Sequence, residues 1–139
     1  MKHIHGGDVY HHQGCVDFSA NCNPLGIPGK VRQAVADSLD ELGNYPQVGY
    51  ESLKKAIAQY EQVNKEQVIC GNGAAELIYT LILALRPRQA LVLAPTFAEY
   101  EQALENLGCR VDYYGLKREC SFQPQSDFFD RLTPQVDVV

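Results

Sequence analysis

Gln67-Val68-Ile69-Cys70-Gly71-Asn72-Gly73-Ala74-Ala75-Glu76-Leu77-Ile78-Tyr79-Thr80-Leu81-Ile82-Leu83-Ala84-Leu85 sets a β-branched run, a two-glycine turn and a long apolar run in direct succession. Val68 and Ile69 favour a strand, the glycines a tight turn, and the stretch 74–85, free of Gly and Pro until Pro87, a helix. That helix is apolar nearly all round. Burying Leu77, Ile78, Leu81, Ile82 and Leu85 at roughly 1.5–3 kcal/mol each would make it the most buried helix of the chain.

Downstream the alternation repeats. A strand is expected at 90–94, a helix at 97–107 ending at Gly108, a strand at 109–114, a helix at 124–132 and a final strand-like run at 136–139 with no turn residue after it. Strands alternating with helices define an α/β layer with a largely parallel sheet, which the last run leaves in mid-strand.

Upstream, Pro28 opens a helix with Val31, Ala34, Val35, Leu39 and Leu42 at spacings of three and four, and Gly43 is expected to supply its left-handed stop. The loop 44–50 leads to a second helix that gathers Leu53, Ala56, Ile57 and Tyr60 on one face. Residues 1–27 show no apolar period and read as an extended arm.

The 139 residues carry 12 Lys+Arg against 17 Asp+Glu, a net charge of −5, which offers no basic surplus for nucleic acid. With 45% hydrophobic and 21% charged residues the chain is of ordinary globular composition. No apolar run is long enough for a bilayer, and Met1-Lys2-His3-Ile4-His5 lacks a signal-peptide core, so a cytoplasmic, membrane-free protein is expected. Cys15, Cys22, Cys70, Cys109 and Cys120 contain no CxxC pair and read as reduced structural cysteines, Cys70 and Cys109 beside strands. His3, His5, His11, His12, Cys15 and Cys22 crowd the arm, but their spacing fits no common zinc site, and no metal is assigned.

Two glycines at a strand-to-helix junction leave backbone N–H groups that can face an anion; the same glycines can simply turn the chain. The pattern is neither GxGxxG nor a P-loop, which argues against a nucleotide-binding domain. Phe97, in Pro95-Thr96-Phe97-Ala98-Glu99-Tyr100, follows the next strand on the same carboxyl edge, where its ring can stack on a planar ligand or serve the core. Tyr45 reads from spacing alone as an interface or surface tyrosine.

Five segments occur here in matching order: His5-Gly6-Gly7, Asp17-Phe18-Ser19-Ala20-Asn21-Cys22-Asn23-Pro24-Leu25-Gly26, Tyr45-Pro46, Gly71-Asn72-Gly73-Ala74-Ala75-Glu76 and Pro95-Thr96-Phe97-Ala98-Glu99-Tyr100-Glu101. Together they resemble the amino-terminal part of the threonine-phosphate decarboxylases of cobalamin biosynthesis. These are relatives of histidinol-phosphate aminotransferases among the pyridoxal 5′-phosphate (PLP) enzymes of aspartate-aminotransferase fold.

The resemblance implies the fold-type I architecture, truncated in mid-sheet. Residues 1–27 would be the N-terminal arm, 28–66 a helical segment of the small domain and dimer interface, and 67–139 the first part of the large PLP-binding α/β domain. It implies that Gly73, Ala74 and Ala75 cup the cofactor phosphate and that Phe97 stacks on the ring. Tyr45 would reach the cofactor phosphate across a homodimer interface, while His5 and Asn21 close over a small phosphorylated amino acid.

The implied reaction converts L-threonine O-3-phosphate to (R)-1-amino-2-propanol phosphate. A histidinol-phosphate-type aminotransferase is the alternative, and a truncated, non-catalytic binding or oligomerisation module is the reading from another class. The family's Schiff-base lysine, its aspartate and asparagine on the ring and its arginine for the substrate carboxylate match no position here. Lys2, Lys30, Lys54, Lys55, Lys65 and Lys117 are not the lysine required, so no catalytic residue is assigned and the chain alone is expected to be inactive.

Overall fold

A computed structural model describes residues 6–139, and the chain falls into two compact units that divide after Ser52. The first is mostly loop. Pro28 serves as N-cap of α1, Gly29–Asp37, where its missing N–H costs nothing because the first turn has no carbonyl to offer it. Ser38 ends this helix, its hydroxyl donating to the Val35 carbonyl at 3.0 Å, and a 3₁₀ turn follows at Leu39–Gly43. The α-helix thus stops earlier than its apolar spacing suggested, and Gly43 is not left-handed, because the serine back-bond already diverts the chain. Val31, Val35, Leu39 and Leu42 remain exposed, and no described residue of this unit is buried.

Helix α2, Glu51–Glu61, follows Gly49 at φ +81 and is capped by the Gln47 side chain, whose Oε1 accepts from the Ser52 N–H and hydroxyl at 2.9 Å each. Its buried residue is Ala58, while Leu53 and Tyr60 of the expected apolar face stay exposed. After a 3₁₀ turn at Lys65–Gln67 comes α3, Gly73–Leu85, which ends on a left-handed Arg86 just before Pro87.

Strand β1, Gln89–Ala94, helix α4, Ala98–Asn106, and strand β2, Arg110–Gly115, complete a strand–helix–strand unit. The strands pair in parallel with Gln89 opposite Arg110 and Ala94 opposite Gly115. On the other edge of β1, Ala90 forms a parallel bridge with Val138, and the Leu91 N–H donates to the Val138 carbonyl at 3.0 Å. The Asp137 carboxylate accepts from the N–H groups of Arg88 and Gln89 at 2.7 and 3.1 Å, which pins this third segment to the entry of β1. β1 is therefore central, and Ala90 and Leu91 are each 1% exposed, as befits a strand covered on both faces. Ile82, Ala90, Val92, Ala103, Leu104 and Cys109 form the core between the sheet, α3 and α4.

Three further expectations fail. Residues 67–70 form no strand: the 3₁₀ turn consumes Gln67, and although Val68 is extended, both edges of β1 are already occupied. The region of Phe128 is a 3₁₀ segment, Ser126–Arg131, and not the α-helix expected at 124–132, Pro124 and Pro134 standing at either side of it. Helix α3 is not the most buried: only Ile82 is buried, and Leu81, Leu83 and Leu85 are more than half exposed, since α4 and the sheet cover one face alone. Among the described residues no helix is long and apolar enough to cross a membrane.

Candidate functional site

The turn before α3 is built from backbone. Asn72 has φ −78 and ψ 69, and the Gly73 N–H donates to the Gly71 carbonyl at 2.9 Å, an inverse γ-turn. Gly73 then takes φ +83, a conformation that disfavours any side chain, and the space over it is open: a Cβ there would meet nothing within 4 Å. The Asn72 N–H is engaged by the Glu76 carboxylate. Helix geometry leaves the next N–H groups, those of Ala74 and Ala75, without a carbonyl of the helix to meet, and they stand at its positive end. A glycine cradle with open space above it and two amides at its rim fits a phosphate.

Phe97 is the N-cap of α4, at φ −68 and ψ 127, just past the carboxyl end of β1. Its ring is half exposed and stands edge-on to Tyr100, with centroids 6.1 Å apart and planes at 88°. Such perpendicular packing steadies the ring while about half of the residue stays open to solvent. α3 ends at Leu85, just before β1 begins at Gln89, and α4 starts at Ala98, just after β1 ends at Ala94, so both helices, packed side by side, run back against the strand and in the same direction. Their first turns, one carrying Gly73 to Ala75 and the other Phe97, consequently lie at one end of the layer, beyond the carboxyl ends of the strands.

Tyr45 belongs to the first unit, between two 3₁₀ turns, with 89% of its surface exposed. Asn21 lies in the arm of that unit, also exposed. His5 lies outside the described residues. In the arm the His11 ring nitrogen Nδ1 pairs with Asp8 at 2.8 Å, and among the described residues no three His, Cys, Asp or Glu side chains converge on a metal site. All five cysteines are free thiols; burial, then the Asp137 charge, raises the pKa of Cys109.

Glu99 is a residue that sequence reasoning passed over. It is buried within α4 at 6% exposure, and burial, followed by hydrogen bonding to Glu99, pushes the Tyr79 phenol up. The signal was there: Glu99 and Ala103 are four apart, on the same inward stripe of the helix.

A parallel α/β layer with a glycine turn and an aromatic helix cap at its carboxyl edge has the architecture of the α/β proteins that take ligands at that edge. Residues 13–135 match the family described as aminotransferase class I and II, and the chain belongs to that family. It is 39% identical over 122 residues to the threonine-phosphate decarboxylase of Salmonella typhimurium, covering 88% of this chain and 34% of that protein. It is 35% identical over 127 residues to the adenosylcobalamin biosynthesis bifunctional protein CobDQ of Leptospira interrogans, covering 86% of this chain and 15% of that one. The solved histidinol-phosphate aminotransferase of Clostridium acetobutylicum is 33% identical, with a TM-score of 0.64 over 73% of this chain and 30% of its own. The chain thus spans about a third of the length of the Salmonella relative.

Proposed function

We propose that the complete protein is a PLP-dependent decarboxylase that converts L-threonine O-3-phosphate to (R)-1-amino-2-propanol phosphate for cobalamin biosynthesis, acting as a cytoplasmic homodimer. The observation that carries this reading is the 39% identity to a threonine-phosphate decarboxylase over 88% of the chain. In the reaction the carboxylate leaves as carbon dioxide and a proton takes its place on Cα, while amine and phosphate are retained. PLP, when bound, supplies an electron sink for the pair released as that bond breaks.

The chain's own residues contribute holding rather than bond-making. The open cradle at Gly73, with the Ala74 and Ala75 amides, receives the cofactor phosphate, and Phe97 lays its ring on the pyridine. Tyr45 serves the cofactor phosphate of the other protomer. His5 and Asn21 donate to the substrate phosphate and exclude water over it. On this reading the arm is 1–27, the small-domain and interface helices are 28–66, and 67–139 begins the cofactor domain.

A second reading, a histidinol-phosphate-type aminotransferase, is favoured by the 33% identity to the clostridial structure. One preparation of the full-length enzyme separates the two. We expect carbon dioxide release from threonine phosphate and no amino transfer from histidinol phosphate to 2-oxoglutarate; the reverse pattern establishes the aminotransferase.

A further inference from the structure

Glu99 is a buried carboxylate that no role above uses. It stands in the first turn of α4 at 6% exposure, two residues after Phe97, on a stripe whose other buried members are Ala103 and Leu104. The positive end of the helix favours a carboxylate there, yet burial among apolar neighbours leaves its oxygens in need of donors. The half-buried Tyr79 of α3 supplies one: its phenol O–H donates to the Glu99 carboxylate. Burial, then that bond, raises the phenol pKa, so Tyr79 stays a donor across the neutral range. Among the described residues no buried side-chain nitrogen or oxygen is left without a partner.

The glycine cradle and the aromatic cap are each fixed to their own helix. Glu76 of α3 accepts from the Asn72 N–H, and a Cβ on Gly71 would stand 3.0 Å from both Glu76 Oε2 and Leu77 Cδ2, which binds the turn to α3. Phe97 caps α4 and packs edge-on against Tyr100, three residues on. The distance between cradle and ring therefore depends on how α3 sits on α4. Apolar contact resists parting of two helices better than sliding, because burial has no direction. Here the packing is also incomplete, since Tyr79, Leu83, Ala103 and Leu107 line a cavity of about 190 Å³ between the helices. A hydrogen bond has both length and direction. Long side chains of a helix lean toward its N-terminus, so Tyr79 reaches toward the end that carries the cradle and meets Glu99 at the end that carries Phe97.

We propose that Tyr79 and Glu99 are positioning residues whose hydrogen bond ties α3 to α4 and so sets the spacing between the cradle at Gly73 to Ala75 and the ring of Phe97. The proposal rests on the reading of that cradle and that ring as cofactor contacts. Neither Tyr79 nor Glu99 is required to touch the cofactor. PLP must meet both points at once, whereas inorganic phosphate engages the cradle without the ring and pyridoxal the ring without the cradle. A wrong spacing therefore penalises PLP alone.

The test titrates the full-length protein, freed of cofactor, with PLP, pyridoxal and inorganic phosphate by calorimetry. Tyr79→Phe deletes the bond and should weaken PLP about fivefold or more, with pyridoxal and phosphate within about twofold of the unaltered protein. Glu99→Gln keeps an acceptor for the phenol and should hold PLP within about twofold. Where Tyr79→Phe does not fold, Glu99→Met, which also deletes the bond, is read in its place by the same criteria. Unchanged PLP affinity on deleting the bond overturns the proposal alone. So does a proportionate loss of all three ligands, the mark of a merely structural role, and so does a Glu99→Gln protein that loses PLP as far as Tyr79→Phe. An unaltered full-length protein that binds no PLP overturns the functional reading, and this proposal with it.

Discussion

At the scale of single residues, Gly73 is where backbone conformation and proposed chemistry coincide. Its φ of +83 lies in the left-handed region, and the space above it is open, so a larger side chain meets strain rather than collision. Gly73→Val should therefore pull the turn toward an ordinary φ and re-aim the Ala74 and Ala75 amides. In the full-length enzyme we expect weaker binding of PLP by about tenfold, the effect of roughly 1.4 kcal/mol, with pyridoxal, which lacks the phosphate, little affected. Fluorescence titration with the two compounds makes the comparison, and an equal loss for both would remove the phosphate from the explanation. The turn at Gly73 was legible in the sequence as two glycines ahead of a long apolar run, although the same pair can simply turn the chain, so its phosphate role stays a proposal. The roles proposed for Phe97, Tyr45, His5 and Asn21 come from family resemblance alone, since a single aromatic, histidine or asparagine has no spacing of its own. The burial of Glu99 was missed because a carboxylate is taken as solvent-facing unless its stripe is traced.

At the scale of elements, local signals succeeded where local forces decide. Helices α3 and α4 and strands β1 and β2 fall within three residues of their Gly and Pro boundaries. Residues 67–70 failed because a strand exists only through a partner, and the apolar run gave no information on whether one was free. The bridge at Val138 succeeded for the complementary reason: Asp137 supplies two extra hydrogen bonds at the entry of β1. Those bonds from the Arg88 and then the Gln89 N–H lower the Asp137 pKa from its ordinary 3.8. A depressed carboxyl contributes stability that is fully present above the unfolded value and is lost as pH falls through the folded one. Asp137→Ala should thus lower the urea midpoint at neutral pH, and the gap to the unaltered protein should close as pH falls below 3.8. A gap constant with pH would show that the carboxylate charge plays no part.

At the scale of the whole molecule, the buried residues are unevenly distributed. All of them lie between Ala58 and Tyr114, and the described part of the first unit has none. Hydrogen exchange should follow that distribution, with amides of Gln89–Ala94 and Arg110–Gly115 slowest and those of 6–50 exchanging early, because opening a segment without buried contacts costs little. Mass spectrometry of exchanged peptides reads this directly, and equal protection of both units would contradict it. The central place of β1 also has a consequence in time. A ribosome delivers this strand before either neighbour, and Asp137, whose carboxylate ties down its entry, is made 48 residues after Gln89. At about 5–20 residues per second that is a wait of roughly 2–10 s. During it the already synthesised α3 can shelter one face of the strand while an edge stays open, so the pace of translation sets how long the nascent chain offers that edge to its neighbours.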